Sequence, residues 1–135
     1  MTVDDHFATI VDVLAAQEQA DVHEYASTRL VSLRSHSGEG VTKIDRSTQF
    51  GNPFTMETDG GAYTREGCVK AYAANFAHRL QVDEIFRGAV DQLAEETLAC
   101  WCVPKLCHGH VVLAYLAGDL DVEWWADVDP ERFAE

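Results

Sequence analysis

The densest chemistry in this sequence lies in one run, Cys100-Trp101-Cys102-Val103-Pro104-Lys105-Leu106-Cys107-His108-Gly109-His110. It brings three thiols and two imidazoles together and contains no acid. Three thiolates and one imidazole make a Cys3His set, a common tetrahedral zinc arrangement. Cys100, Cys102 and Cys107 with either His108 or His110 would supply it, although C-x-C-x4-C-H is more compact than the usual C-x2-C pairs. A second chemistry is a reactive thiol. Near a helix N-terminus and an imidazole, the Cys107 thiolate is favoured and can act as a nucleophile, with His108 or His110 as general acid or base. The third alternative is packing alone, because free cysteine is among the most buried residue types. The remote Cys68 fits that description.

A second group of polar side chains precedes this run. The fork of Arg46 can grip a phosphate or carboxylate in bidentate fashion. Asn52, held extended by Pro53, can offer its amide to a base edge. Arg65 opens a predicted helix, whose N-terminus also prefers anions. Phe54 or Tyr72 would hold a ring. The competing reading for each arginine is a solvated surface or a salt bridge to one of many carboxylates.

The elements that must position these groups follow from periodicity. Residues 3–20 read as an amphipathic helix, with Phe7, Ile10, Val11, Leu14 and Ala15 on one stripe and Asp4 and Asp5 in the first turn. Thr28 to Leu33 is a strand candidate, bounded by Ser35-His36-Ser37-Gly38. A long irregular stretch runs from Gly38 to about Gly61; such stretches are often functional. Thr64 caps a helix over 64–80 whose buried stripe is Val69, Tyr72, Ala73, Phe76 and Leu80. A third helix over 81–95 turns Ile85, Phe86, Val90 and Leu93 inward. Residues 97–102 form a strand that places Cys100 and Cys102 on one face and ends at Pro104. A helix from His108 or Gly109 to about Ala117 closes at Gly118. This order predicts an α/β fold, a small single-layer, mostly parallel sheet flanked by helices, in a single domain over 1–135. The tail 119–135 alternates acids with Trp124, Trp125 and Phe133, and reads as a docking segment.

Composition narrows the partners. Ten Lys+Arg face 23 Asp+Glu, a formal charge of −13, and only Lys43, Lys70 and Lys105 are lysine. That balance opposes nonspecific duplex DNA binding and an anionic membrane surface. Few lysines and many acids suit a halophilic protein in a high-salt cytosol, where repulsion is screened within about 3 Å at 1 M salt. No apolar run approaches a membrane span and no signal peptide is readable. A cytoplasmic setting with reduced thiols is therefore expected.

Three blocks resemble an uncharacterised family catalogued as domain of unknown function 4326. They are Asp45-Arg46 with Gly51-Asn52-Pro53-Phe54, then Thr64-Arg65-Glu66 with Tyr72, then Leu98 to Gly109. The last is similar to the family signature C-W-C-x-P-x-x-C-H-G-D, with His110 where the family has an acid. The resemblance covers about residues 28–117. It implies a small α/β fold and a phage-like or archaeal-virus genetic setting, and supplies no reaction.

Together these groups lead to an expected enzyme of nucleotide, nucleobase or modified-base metabolism, with deazapurine-type DNA bases among its substrates. Arg46 and Arg65 would hold an anion, Asn52 with Phe54 or Tyr72 the ring, and Cys107, His108 and His110 the chemistry, with zinc on Cys100, Cys102, Cys107 and His108. The alternative is a zinc-stapled binding or adaptor module of viral origin without chemistry. A further possibility is a homo-oligomer or protein partner docked through Trp124, Trp125 and Phe133.

Overall fold

The structure is a computed structural model that describes residues 2–17, 22–36 and 40–134. Strands β1 (Val22–Tyr25), β2 (Thr28–Ser32), β3 (Thr42–Lys43) and β4 (Thr97–Cys100) form one sheet in the order β1-β2-β4-β3. The β2–β4 and β3–β4 pairs are parallel; β1 joins β2 as an antiparallel edge. Among the described residues five α-helices accompany the sheet: α1 (Val3–Ala15), α2 (Arg65–Val82), α3 (Glu84–Asp91), α4 (His108–Leu116) and α5 (Val122–Ala126). The fold is thus α/β with a mostly parallel sheet, as expected.

Local chemistry explains the helix ends. Thr2 and Asp5 form a reciprocal capping box at the start of α1. Thr64 Oγ1 accepts from Gly67 N–H at 3.0 Å and starts α2. Asp83 separates α2 from α3 by accepting from the N–H groups of Ile85 and Phe86. The expected helix over 81–95 is therefore shorter, and Ile85, expected inward, is 85% exposed. In α1, Val13 is buried and Val11 exposed, so the apolar stripe is rotated from the expected one. The end of the expected 3–20 helix lies partly outside the described residues, as do Ser37 and Gly38. β1, β3 and α5 were not anticipated: each is too short for a periodic pattern to emerge.

One face of the sheet carries the core. Leu30, Ile44 and Leu98 pack with Val111 and Val112 of α4 and with Tyr72, Phe76 and Leu80 of α2. Gly109 lets α4 sit close to the sheet, because a Cβ there would come within 2.7 Å of Leu30 Cδ1. The opposite face holds a smaller cluster of Val31, Leu33 and Ala99.

The tail folds onto its own chain. Trp125 is fully buried, Trp124 stacks on His6 with ring centroids 3.8 Å apart, and Phe133 packs beside Tyr63 and Cys68. These side chains, expected to face a partner, are engaged within the molecule. No helix among the described residues is long and apolar enough to cross a membrane.

Candidate metal centre and anion cleft

β4 stops at Cys100, earlier than the expected strand over 97–102. Trp101 and Cys102 leave the sheet, and a loop containing a cis Val103–Pro104 bond returns the chain to α4. This places the site at the carboxyl end of a parallel strand feeding a helix N-terminus, where α/β proteins bind ligands. Cys107 is the N-cap of α4, its Sγ accepting from Gly109 N–H at 3.4 Å. Cys107 Sγ lies 2.9 Å from Cys100 Sγ and 3.5 Å from His108 Nδ1. Cys100 Sγ lies 3.9 Å from the same nitrogen.

Cys100, Cys107 and His108 are all buried, with ligand atoms within 4.8 Å of one another. They are close enough to hold a metal ion. The imidazole is oriented for that task. Its Nε2 donates to the Ile44 carbonyl at 2.6 Å, which leaves the Nδ1 lone pair facing the thiols. Ligating histidines usually donate their other N–H to such a carbonyl. Ile44 is itself held by its N–H to the Ala99 carbonyl at 3.0 Å. The Tyr72 ring, 4.9 Å away, supports the other side of the imidazole.

Cys102, expected as a fourth ligand, is half-buried and lies outside the group whose ligand atoms are all within 4.8 Å of one another. Hydrogen bonds from Cys100 and Cys107, with the Arg65 guanidinium beside it, push the Cys102 thiol well below the usual cysteine range. The Cys100 thiol is pushed up, first by its hydrogen bond to Cys102 and then by burial. Burial pushes Cys107 up most of all, and it pushes His108 down. Burial thus opposes charge on Cys100, Cys107 and His108 alike. A bound cation deprotonates coordinating thiols outright.

The cluster opens onto a cleft of about 270 Å³ that Arg46, Arg65, Asn52, Trp101 and Asp45 also line. Two groups expected separately from the sequence thus share one cavity. Arg46 donates to the Phe54 carbonyl at 2.9 Å and Arg65 to the Leu106 carbonyl at 3.2 Å. Neither arginine meets a carboxylate: among the described residues the salt bridges are those of Lys70 with Asp4 and Glu66. Gly51 makes the Arg46 loop possible, because a Cβ there would overlap the backbone of Asp45 and Arg46.

Other expected site residues stand elsewhere. Asn52 lines the cleft, but its amide is engaged. It donates to the Cys68 carbonyl and Sγ and accepts from Phe54 N–H. Phe54 packs edge-on to Tyr63 outside the cleft. Tyr72 is buried, its hydroxyl donating to the Phe50 carbonyl at 2.8 Å. Its position in the buried stripe of α2 leaves it inside the core. His110 points away from the thiols. Its Nδ1 accepts from Cys107 N–H at 3.0 Å, closing a capping box, and its Nε2 meets His23 Nδ1 at 2.8 Å. A carboxylate at this third helical position can make the same cap.

Among the cleft residues missed from the sequence is Trp101. It is 51% exposed at the cleft, and its Nε1 donates to Asp45 Oδ2 at 3.0 Å. The signal was present, since a tryptophan lay between the two strand-end cysteines. Strict alternation would have turned it to the opposite face of β4, whereas the strand has already ended.

The family profile of domain of unknown function (DUF4326) matches residues 31–118, and the chain belongs to this family. It is 32% identical over 95 residues to an uncharacterized 12.4 kDa protein in the nrdA-td intergenic region of Enterobacteria phage T4. That match covers 67% of this chain and 84% of the phage protein. The chain is also 25% identical over 130 residues to the human S-adenosyl-L-methionine-dependent tRNA 4-demethylwyosine synthase TYW1B. There it covers 96% of this chain but only 18% of the human protein. No solved structure matches the chain.

Proposed function

We propose that this protein is a zinc-dependent enzyme acting on a nucleotide or nucleobase, modified DNA bases included. One observation carries the reading: a buried Cys/His cluster opens onto a cleft with arginines that meet no carboxylate. In a chain of net charge −13, arginines left without a carboxylate partner have charge to offer an anionic ligand. The stretch shared with a tRNA-modifying synthase supports a nucleobase as the ring that enters.

Cys100, Cys107 and His108 would hold the metal. Two thiols and one imidazole make a donor set that suits zinc, and the Ile44 carbonyl fixes the required imidazole tautomer. Zinc, when bound, supplies a water of lowered pKa for hydrolysis, deamination or removal of a ring substituent. The chain's own residues do the rest. Trp101 offers a face on which a base stacks. Arg65 places positive charge beside Cys102 and the reacting ring. Arg46 holds an anionic group at the cleft margin. Asp59 also lines the cleft.

The nearness of Cys102 to both other thiols favours a second reading, a closed four-ligand staple in a binding module. Elemental analysis of Cys102→Ser separates the two. One zinc per chain and an unchanged melting temperature fit an open site, whereas loss of zinc and fold fits the staple. The enzyme reading is tested by calorimetry of the zinc-loaded chain in high salt against nucleosides, nucleotides and deazapurines, followed by mass analysis of bound species. Micromolar binding with a mass change in the ligand is expected. Absence of binding across the panel overturns it.

A further inference from the structure

A second cavity adjoins the cysteine cleft and shares Arg46 and Asn52 with it. Its volume is about 330 Å³, and Thr48, Gln49, Gly51, Pro53 and Arg79 complete its lining. Among the described residues no carboxylate lines it, although the chain carries 23 acids. Arg79 projects from the last turn of α2 and is held in two ways. It donates to the Gln49 carbonyl at 3.0 Å, and its guanidinium lies 3.6 Å from the centre of the Phe86 ring. Neither contact neutralises its charge, and no carboxylate lies within salt-bridge distance among the described residues. Arg46 is fixed the same way, through the Phe54 carbonyl. Two guanidinium groups tethered through backbone carbonyls thus face one acid-free groove with donors to spare.

We propose that this groove is a phosphate subsite, in which Arg46 and Arg79 hold the phosphomonoester of a mononucleotide whose base lies in the cysteine cleft. The inference rests on the nucleobase reading above and names the substrate class more closely. The planar forks match phosphate oxygens in bidentate fashion. A shared wall at Arg46 lets one ligand span both cavities. A polynucleotide is disfavoured because it needs a succession of phosphate contacts, and a chain of net charge −13 offers this groove two arginines.

Calorimetry with the full, zinc-loaded chain tests the inference. The probes are a nucleoside, its 5′-monophosphate, inorganic phosphate and a single-stranded tetranucleotide. The monophosphate should bind about 10- to 100-fold more tightly than the nucleoside, as expected for charge-assisted hydrogen bonds. Arg79→Met, which keeps an apolar stem over Phe86, should erase that ratio, and Arg79→Lys should keep part of it. Gln49→Glu alters only an exposed side chain and places a carboxylate in the groove, so it should lower the ratio even if Arg79→Met fails to fold. A ratio near one in the parent chain, or one unchanged in Gln49→Glu and the folded Arg79 variant, overturns the subsite. Tighter binding of the tetranucleotide overturns the mononucleotide assignment. If inorganic phosphate binds and loses affinity in Arg79→Met while no nucleoside binds, the anion groove stands and the nucleobase reading fails. If nucleosides bind but phosphate adds nothing, the reverse holds.

Discussion

The cleft side and the tail side of this molecule use the same residue types in opposite ways. In the tail, Trp125 is fully buried and Trp124 stacks on His6. On that side Lys70 pairs with Asp4 and Glu66. Around the cleft, Trp101 stands half exposed, and Arg46, Arg65 and Arg79 bond to backbone carbonyls without meeting an acid. Tail residues pack against one another and hold the fold together. Cleft residues are held in place while their binding capacity stays open, which is the arrangement a ligand site requires.

The contrast is strongest between the two tryptophans. Trp125→Ala should cost about 3–5 kcal/mol in denaturant unfolding, because it empties a closed position in the core. Trp125→Phe should cost less, since the indole N–H has no hydrogen-bond partner to lose. Trp101→Ala should change stability by no more than about 0.5 kcal/mol. It should weaken nucleoside binding by about 1–3 kcal/mol, the usual worth of base stacking. Equal stability losses at both positions would break the comparison.

The two histidines of α4 sharpen it further. His108→Ala should remove metal from the purified chain as read by elemental analysis. His110→Ala should leave the metal in place and cost more than about 1 kcal/mol of stability, through loss of the cap, of the bond to His23 and of a buried ring. His110→Asp should recover part of that loss, because a carboxylate can accept from the Cys107 N–H. Metal lost equally from both alanine variants would contradict the orientation seen here.

The smallest effect concerns Asp45. The Ser47 hydroxyl hydrogen bond, with help from the Trp101 indole, holds its carboxyl below the usual aspartate range. A depressed folded pKa gives stability that is present above the unfolded value, near 3.9, and lost as pH falls through the folded value. The indole N–H resonance of Trp101 should therefore stay unchanged from pH 7 to about pH 4 and move only below that. Movement at pH 5–6 would show that Asp45 is not held in this way.

Much of the site was legible because its signals are local. Cys107 and His108 open α4 as the strand-turn-helix pattern predicts, and Thr64 caps α2. The misreadings also have physical causes. Tyr72 was read both as part of a buried helical stripe and as a ring-holding residue, and only the first fits its position in the core. Asn52 suggested a free amide, but Cys68 and the backbone of Phe54 take it. His108 and His110 could not be told apart, because two positions on one helix turn face different neighbours only once the sheet and β1 are in place.

By itself, then, the amino-acid order determined the four longer helices, the α/β class and a thiol–imidazole cluster at the end of a parallel strand, since each rests on contacts within a few residues. Only the tertiary structure decided that Arg46, Arg65 and Trp101 share that cluster's cleft and that Arg79 faces the adjoining groove. The stretch carrying Arg46 has no periodic pattern. Its course is set by distant contacts: Gly51 against Asp45, Asn52 against Cys68, and the Gln49 carbonyl against Arg79. Such contacts leave no repeat in the sequence, because they are made between elements rather than along one.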